Sequence, residues 1–229
     1  MLDSDVASRI VYTAITNGHA QLCTRPEVPD TDFVCFSDVE LDRSDWVIRP
    51  IDAPADLSPR MRAKFHKMFP PIGYEWTVWI DGSHVINTVI SPSTMVDDMI
   101  AASPNGFGLH RHPREDCVYA DGHDVMTHPL LAAKRRGQPI AEQLAHYRRG
   151  GHPEHWGLWA SGSMCRNESR LVRELMTKWW DEMLRWSERD QLSMPFVCRA
   201  LGFRPDTWPW ELYKNPHFIS IDHNWEGAT

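Results

Sequence analysis

Several residues of this chain have the type and spacing to do chemistry, and the first stand at Asp81-Gly82-Ser83. The run before them, Glu75-Trp76-Thr77-Val78-Trp79-Ile80, is aromatic and β-branched, so it reads as a buried strand that stops at an acid and a glycine. A carboxylate at the carboxyl edge of a sheet stands where α/β proteins bind ligands; there it can hold a divalent cation, which in turn can hold a diphosphate. Asp-Gly is also a common hairpin dipeptide, so a plain turn is the competing reading. Arg60, Lys64 and Lys67 fall at i, i+4 and i+7 and would form one cationic stripe on a helix, beside an apolar stripe of Met61, Phe65 and Met68. That stripe could neutralise a diphosphate near Asp81, or simply face water as the polar side of an amphipathic helix.

Further along, Ser187-Glu188-Arg189-Asp190-Gln191 falls between two helical patterns. An acid and an amide at a helix start can meet a ligand together with the free backbone donors; ordinary capping by Asp190 is the alternative. The stretch His110, Arg111, His112, Arg114, Asp116, His123, Asp124 and His128 is dense in metal-capable groups. Pro113 and Gly122 argue for loop there, and the spacing matches no standard zinc site. Arg111 and Arg114 read instead as anchors for a phosphate or sugar hydroxyls. Among the tryptophans, Trp76, Trp79, Trp179 and Trp180 take core-facing positions. Trp156, Trp159, Trp208 and Trp210 have proline- or glycine-flanked surroundings, where an indole face could stack on a sugar.

The elements that must position these groups follow from hydrophobic pattern and punctuation. Strands are expected at Ile10–Ile15, Phe33–Phe36, Trp46–Ile48 (an edge closed by Pro50) and Glu75–Ile80. Ser58-Pro59 opens the basic helix, which Pro70-Pro71 ends. Ser93 caps a helix through Ile100, and Ile140, Leu144 and Tyr147 share a helix face closed by Gly150-Gly151. Gly157–Ala160 and Ser163–Cys165 read as paired short strands. Asn167 then caps the best helix, with a stripe of Leu171, Val172, Leu175, Met176, Trp179, Trp180, Met183 and Leu184. A helix from Asp190 to Gly202 bends at Pro195, and Phe218–Ile221 is a late strand before Asp222-His223. Strands alternating with helices, then a mixed order, predict an α/β fold with a mixed, mostly parallel central sheet flanked by helices.

The 229 residues show no linker, repeat or low-complexity block, so a single domain over residues 1–229 is expected. A formal net charge of -7 disfavours a surface built to hold nucleic acid by charge alone. The basic clusters Lys134-Arg135-Arg136 and Arg148-Arg149 read as solvated helix faces. Cys23, Cys35, Cys117, Cys165 and Cys198 are odd in number and widely spaced, which suggests neither disulfides nor a zinc knuckle. No signal peptide or membrane-length apolar run is seen, so a soluble, cytoplasmic protein without a transmembrane segment is expected.

The ordered set Tyr12-Thr13-Ala14-Ile15, Asp32–Asp38, the Arg/Lys helix, Trp79–Ser83, His112-Pro113-Arg114 with Cys117-Val118-Tyr119, Gln143 with Tyr147, Gly157-Leu158, Trp179-Trp180 and Ser187-x-Arg189-Asp190-Gln191-Leu192-Ser193 resembles a glycosyltransferase-like domain family. That family includes plant proteins linked to mucilage polysaccharides, and the resemblance spans about positions 10 to 200. It implies a GT-A-type nucleotide-sugar-binding fold, usually with a divalent metal, manganese or magnesium. Carried onto this chain, Tyr12, Thr13 and Ala14 would border a nucleobase, with Asp38 nearby, and Lys64 and Lys67 would face the diphosphate. Asp81, Ser83 and the late His223 would hold the metal. Asp190-Gln191 is similar to the Asp-Gln pair that lies beneath the anomeric carbon in glycogenin-like retaining enzymes. One departure stands out: the usual Asp-x-Asp has become Asp81-Gly82-Ser83, losing a carboxylate.

The leading expectation is therefore transfer of a hexose or pentose from a nucleotide-diphosphate donor to an acceptor, which could be a polysaccharide, a protein, a lipid or a modified nucleic-acid base. The diphosphate needs prepositioned positive charge (metal, Lys64, Lys67, Arg111), and the anomeric centre needs a carboxylate or amide dipole. Two other readings stay open. One is a metal-dependent hydrolase built on the His110–His128 cluster; the other is a non-catalytic glycan- or nucleotide-binding module.

Overall fold

β1 (Arg9–Ile15) holds six consecutive buried residues, a run with no polar alternation, as expected of a parallel strand covered on both faces. The computed structural model describes residues 7–18, 20–43, 45–89 and 92–220. After β1 come β2 (Thr31–Ser37), β3 (Val47–Pro50), α1 (Pro59–Met68), β4 (Trp76–Ile80) and β5 (His84–Ile86). A single 3-10 turn leads into α2 (Met95–Ala101), followed by β6 (Phe107–Arg111), α3 (Val118–Thr127), α4 (Pro129–Lys134) and α5 (Ile140–Arg149). The chain continues through β7 (Trp159–Asn167), α6 (Arg170–Arg185), α7 (Asp190–Ala200), β8 (Asp206–Thr207) and β9 (Phe218–Ser220).

Seven strands form one sheet in the order β3-β2-β1-β4-β7-β6-β8, with β5 and β9 paired separately. β3, β2, β1 and β4 run parallel, β7 is antiparallel to both neighbours, and β8 is parallel to β6. The expected mixed, mostly parallel α/β architecture is what the chain adopts. Alternate residues of β1 go to opposite faces, as strand geometry requires. Ile10, Tyr12 and Ala14 pack with α1, α6 and α7, while Val11 and Ile15 pack with α2 and Trp208. A third cluster joins α3 to α5 through Val118, Val125, Ile140, Leu144 and Tyr147.

The differences from the sequence expectations have local causes. The two short strands at Gly157–Ala160 and Ser163–Cys165 are one strand, β7, interrupted by a bulge. Leu109 pairs with Met164 but its neighbour His110 pairs with Ala160, so Ser161-Gly162-Ser163 swell out of the ladder. The cap of α6 is Ser169, which accepts from the Val172 amide, rather than Asn167, which ends β7. Leu171 and Leu184 are exposed; the buried stripe of α6 is Val172, Leu175, Met176, Trp179, Trp180 and Met183. Each of those burials contributes about 1.5–3 kcal/mol. The helix expected from Ser93 begins at Met95, with Thr94 as its cap. Gly122, read as a loop breaker, lies inside α3, where a Cβ would stand 2.6 Å from Leu144 Cδ1. Its absence lets α3 close on α5. All five cysteines are free, as expected. No helix among the described residues is long and apolar enough to cross a membrane.

Gly108 on β6 is a second close approach. A Cβ there would lie 2.0 Å from Ser103 Oγ and 2.5 Å from Trp208 Nε1, inside the 3.0 Å hydrogen bond that joins them. Gly108→Ala is expected to cost about 3 kcal/mol by overpacking and loss of that bond, read as a lower urea midpoint at unchanged slope.

Candidate active site

The carboxyl end of β4 delivers Asp81 to the mouth of a cleft of about 670 Å³. The bulge in β7 faces it: the Asp81 amide donates to the Gly162 carbonyl at 2.6 Å, and the Trp79 indole N–H donates to Asp81 Oδ1 at 2.6 Å. From the other side comes α1, started by Ser58, whose hydroxyl accepts from the Met61 amide, and by Pro59 at the first helical position. The cationic stripe of α1 turns inward across the cleft rather than out to water. Arg60 stays at the rim with its side chain 45 % exposed, Lys64 is mostly covered at 14 %, and Lys67 is buried at 2 %.

Burying the Lys67 ammonium costs free energy unless oxygen acceptors surround it. They do: Asp190 Oδ2 at 2.8 Å, Ser161 Oγ at 3.2 Å and Asp81 Oδ1 at 3.6 Å. The other oxygen of Asp190 meets Lys64 Nζ at 3.0 Å, and Lys64 also donates to the Glu188 carbonyl at 2.6 Å. Ser161 Oγ donates to Asp190 Oδ2 at 2.9 Å, so the bulge of β7 and the start of α7 are tied to α1 through one carboxylate. Burial alone would raise Asp190, but the two lysines overcome it and hold it well below the ordinary carboxylate range. Burial lowers Lys64 to about 8 despite Asp190, with Lys67 and Arg135 adding repulsion. Lys67 is held above its ordinary value: burial opposes its charge, yet Asp190 and Asp81 outweigh it.

A second layer fixes these groups. Arg189, just before Asp190, forks onto Asp121 of α3 at 2.7 and 2.5 Å, and His112 Nε2 lies 3.8 Å from the same carboxylate. Ser187 Oγ donates to Gln143 Oε1 at 2.6 Å, and Gln143 in turn donates to the Tyr147 hydroxyl at 2.7 Å. The Trp179 indole donates to the Asp190 carbonyl at 3.0 Å. The turn carrying Asp190 is therefore anchored by α3, α5 and α6.

Of the residues singled out from sequence, Ala14, Lys64, Asp81, Ser83, Arg114, Asp190 and Gln191 line the cleft, and Lys67 is bonded beneath it. Tyr12 and Thr13 do not line it. Tyr12 is fully buried, its hydroxyl donating to the Lys67 carbonyl at 3.2 Å and accepting from Arg166, so it braces α1 from below. Asp38 accepts from the Asn17 amide at 2.8 Å and lies 3.7 Å from Arg62, outside the lining. Arg111 ends β6 and points outside the cleft lining to solvent. His223 lies outside the described residues.

The histidine-rich stretch does not assemble into a centre. Among the described residues no three His, Cys, Asp or Glu side chains are placed to hold a metal. His110 is buried against Trp208 and bonded to the Trp210 carbonyl, Asp121 is taken by Arg189, and Asp116 pairs with His155. The metal-dependent hydrolase reading would need such a cluster. Trp159 and Trp208 are buried at 2 % and 3 % rather than offered to a sugar. Ser161, Trp79 and Arg189 were not singled out for the site; Arg189 adjoins Asp190 in sequence, whereas Ser161 sits where a bulge looks like a turn.

A divalent ion fits what remains only in part. Asp81 and Ser83 are hard oxygen donors, and the Asp81 side chain is 41 % exposed. Asp81 Oδ1 already accepts from Trp79 and faces Lys67, which weakens its hold on a second cation.

No curated protein matches the sequence. Among solved structures, the chain is similar to the apo structure of the bifunctional glycosyltransferase WbbM at 11 % identity and a TM-score of 0.47, over 89 % of this chain and 39 % of that one. It is also similar to mouse xyloside xylosyltransferase 1 (11 % identity, TM-score 0.41, 85 % of this chain and 80 % of that one). A third likeness is to the mannosyltransferase Ktr4p from S. cerevisiae (9 % identity, TM-score 0.34, 88 % and 66 %). The chain thus spans about two fifths of the first of these proteins. The profile of the TOD1/MUCI70, glycosyltransferase-like domain matches residues 59–224, from the first helix through the late strand, and the chain belongs to that family.

Proposed function

We propose that this chain transfers a hexose or pentose from a nucleotide-diphosphate donor to an acceptor, with the donor seated across Asp81, Lys64, Lys67 and Asp190. The observation that carries this reading is the line of alternating charge Asp81–Lys67–Asp190–Lys64 along the cleft floor. Breaking a glycosyl–phosphate bond leaves positive character on the anomeric carbon while the bonding pair departs with the diphosphate. A site for that chemistry needs fixed charge of both signs a few ångströms apart, set before reaction. Asp190 supplies the negative end beneath the sugar and Gln191 an amide dipole beside it. Lys64, Lys67 and Arg114 supply positive charge toward the leaving group.

The acceptor hydroxyl oxygen makes the new bond on the face the diphosphate leaves, which retains configuration, and its proton passes to the departing phosphate. Ala14, at the end of β1, is the residue of the expected base-binding set that borders the cleft. Asp81 and Ser83, completed by His223, would hold manganese or magnesium, which when bound supplies further charge to the diphosphate. With one carboxylate where the family pattern has two, that hold is weak.

The test is a thermal-shift panel of nucleotide-diphosphate sugars with and without manganese, followed by donor turnover. A true donor raises Tm by mass action. Asp81→Ala is expected to reduce turnover at least tenfold and to abolish any manganese-dependent part of the Tm shift. Full turnover by that variant, or no stabilisation by any donor, would sink the assignment. Slow donor hydrolysis alone would already exclude a binding-only module.

A further inference from the structure

Beyond Lys64 the charge line does not stop. Glu188 lies next, and two guanidinium groups crowd its single oxygen Oε2: Arg135 Nη1 at 3.9 Å and Arg60 Nη1 at 4.0 Å. Neither distance is a hydrogen bond, since N–H···O contacts of charged pairs run at about 2.7–2.9 Å. The other oxygen of Glu188 is taken by the Ser58 hydroxyl at 2.8 Å. Arg135 is only 14 % exposed, and its Nη1 is shielded from water with no hydrogen bond among the described residues. An unpartnered buried donor on a charged group is costly and asks for an acceptor. Burial first, then Arg60 and Arg189, pull the Arg135 guanidinium down to about 10, a mark of uncompensated positive charge around it.

Lys64 and Lys67 each meet Asp190 at hydrogen-bond distance, and Arg189 meets Asp121, whereas Arg60 and Arg135 reach their carboxylate, Glu188, only at 4.0 and 3.9 Å. They stand at the end of the charge line opposite Asp81. We propose that Arg135, assisted by Arg60, forms an anion subsite that takes a carboxylate or phosphate carried by the substrate, distinct from the donor diphosphate. Arg135 caps the carboxyl end of the short helix α4, which brings Leu130 and Leu131 to the cleft, so the subsite has an apolar wall beside its charge. A planar guanidinium receives such a group through two N–H donors at once, which an ammonium cannot do. Only the separateness of this subsite from the diphosphate rests on the proposed donor orientation; the anion site itself does not depend on it.

The experiment uses the full chain and three kinds of probe. Inorganic phosphate alone tests the subsite without any donor. A pair of nucleotide-diphosphate hexoses differing only in a C6 hydroxymethyl or C6 carboxylate tests the transferred sugar. A neutral and a uronic-acid oligosaccharide, each with the neutral donor, test the acceptor. In the unmodified protein, phosphate raises Tm, and one of the two pairs shows about a tenfold preference for its acidic member. In Arg135→Gln the phosphate shift disappears and that acidic-over-neutral ratio collapses toward one, while Arg135→Lys restores it in part. The pair that shows the preference says whether sugar or acceptor carries the charge. Equal ratios in the unmodified protein and in Arg135→Gln, with phosphate protection intact in both, would overturn the subsite. Phosphate protection lost in Arg135→Gln without binding of any nucleotide sugar would keep the subsite and overturn the donor reading instead.

Discussion

Asp190→Asn is expected to lose transfer activity by about 10²–10³-fold and, at the same time, about 3–5 kcal/mol of stability. The two losses have different causes. The stability loss comes from Lys64 and Lys67, which share this one carboxylate at 3.0 and 2.8 Å and would be left as buried cations facing a neutral amide. The activity loss comes from removing the negative end of the dipole beneath the sugar. A second substitution separates them: Asp190→Asn combined with Lys64→Met removes one stranded cation and should recover part of the denaturation midpoint while turnover stays low. If the single variant kept its midpoint, the charge line would not be the framework of the cleft. If it kept its turnover, Asp190 would have no place in the reaction.

Acid is expected to unfold the protein well above the range in which carboxylates titrate. His66, His110, His112 and His152 are buried and each is pushed to about 4, chiefly by burial. Their surroundings are built for the neutral ring. His66 stacks on Phe36 with ring centroids 3.9 Å apart and accepts the Asp52 amide on Nε2. His112 accepts the Glu115 amide on Nδ1, and His110 Nε2 and His152 Nδ1 have no partner among the described residues. The unfolded chain binds these protons near pH 6.5 and the folded chain only near 4, so stability is complete above 6.5 and falls as pH drops through that window. Keeping one such ring neutral in acid opposes folding by about 3 kcal/mol. Four of them together reach roughly 12 kcal/mol, comparable to the whole stability of a typical domain. Asp190 works in the same direction at still lower pH. Tryptophan fluorescence against pH should show a cooperative midpoint between about 6 and 4. A midpoint below about 3.5 would mean these rings stay accessible enough to charge in place.

How much of this was legible in the residues depends on range. Asp81 followed from a strand that ends in an acid, and Lys64 and Lys67 from helical spacing; both signals are local. Asp190 stood out as an acid at a helix start, and the resemblance gave it a role; no spacing could connect it to α1. What sequence could not supply was burial of charge. Lys67 and Arg60 share a stripe on paper, yet one is sealed and the other open, because the neighbouring β7 bulge meets the last turn of the helix and Arg60 stands on the first. Arg135 reads as one member of a solvated basic triplet until α1 and Glu188 are placed against it. Ser161 sits where three residues leave the ladder, and in one dimension a bulge is indistinguishable from a turn. Tyr12 misled through its depth along the strand: it shares a face of β1 with Ala14, but only Ala14, nearer the carboxyl end, reaches the cleft, while Tyr12 is sealed beneath α1.

The small β5–β9 ladder has a consequence for how the protein is made. β5 follows directly on Asp81-Gly82-Ser83, and its pairing partners, Phe218–Ser220, are synthesised far later. A nascent chain can assemble β1, β2, β3 and α1 early, but the ladder beside the turn bearing Asp81 closes only once Phe218–Ser220 have been made. Ribosome-bound intermediates that have not reached Phe218 therefore lack this ladder, and that edge of the cleft closes only once the distant segment folds back.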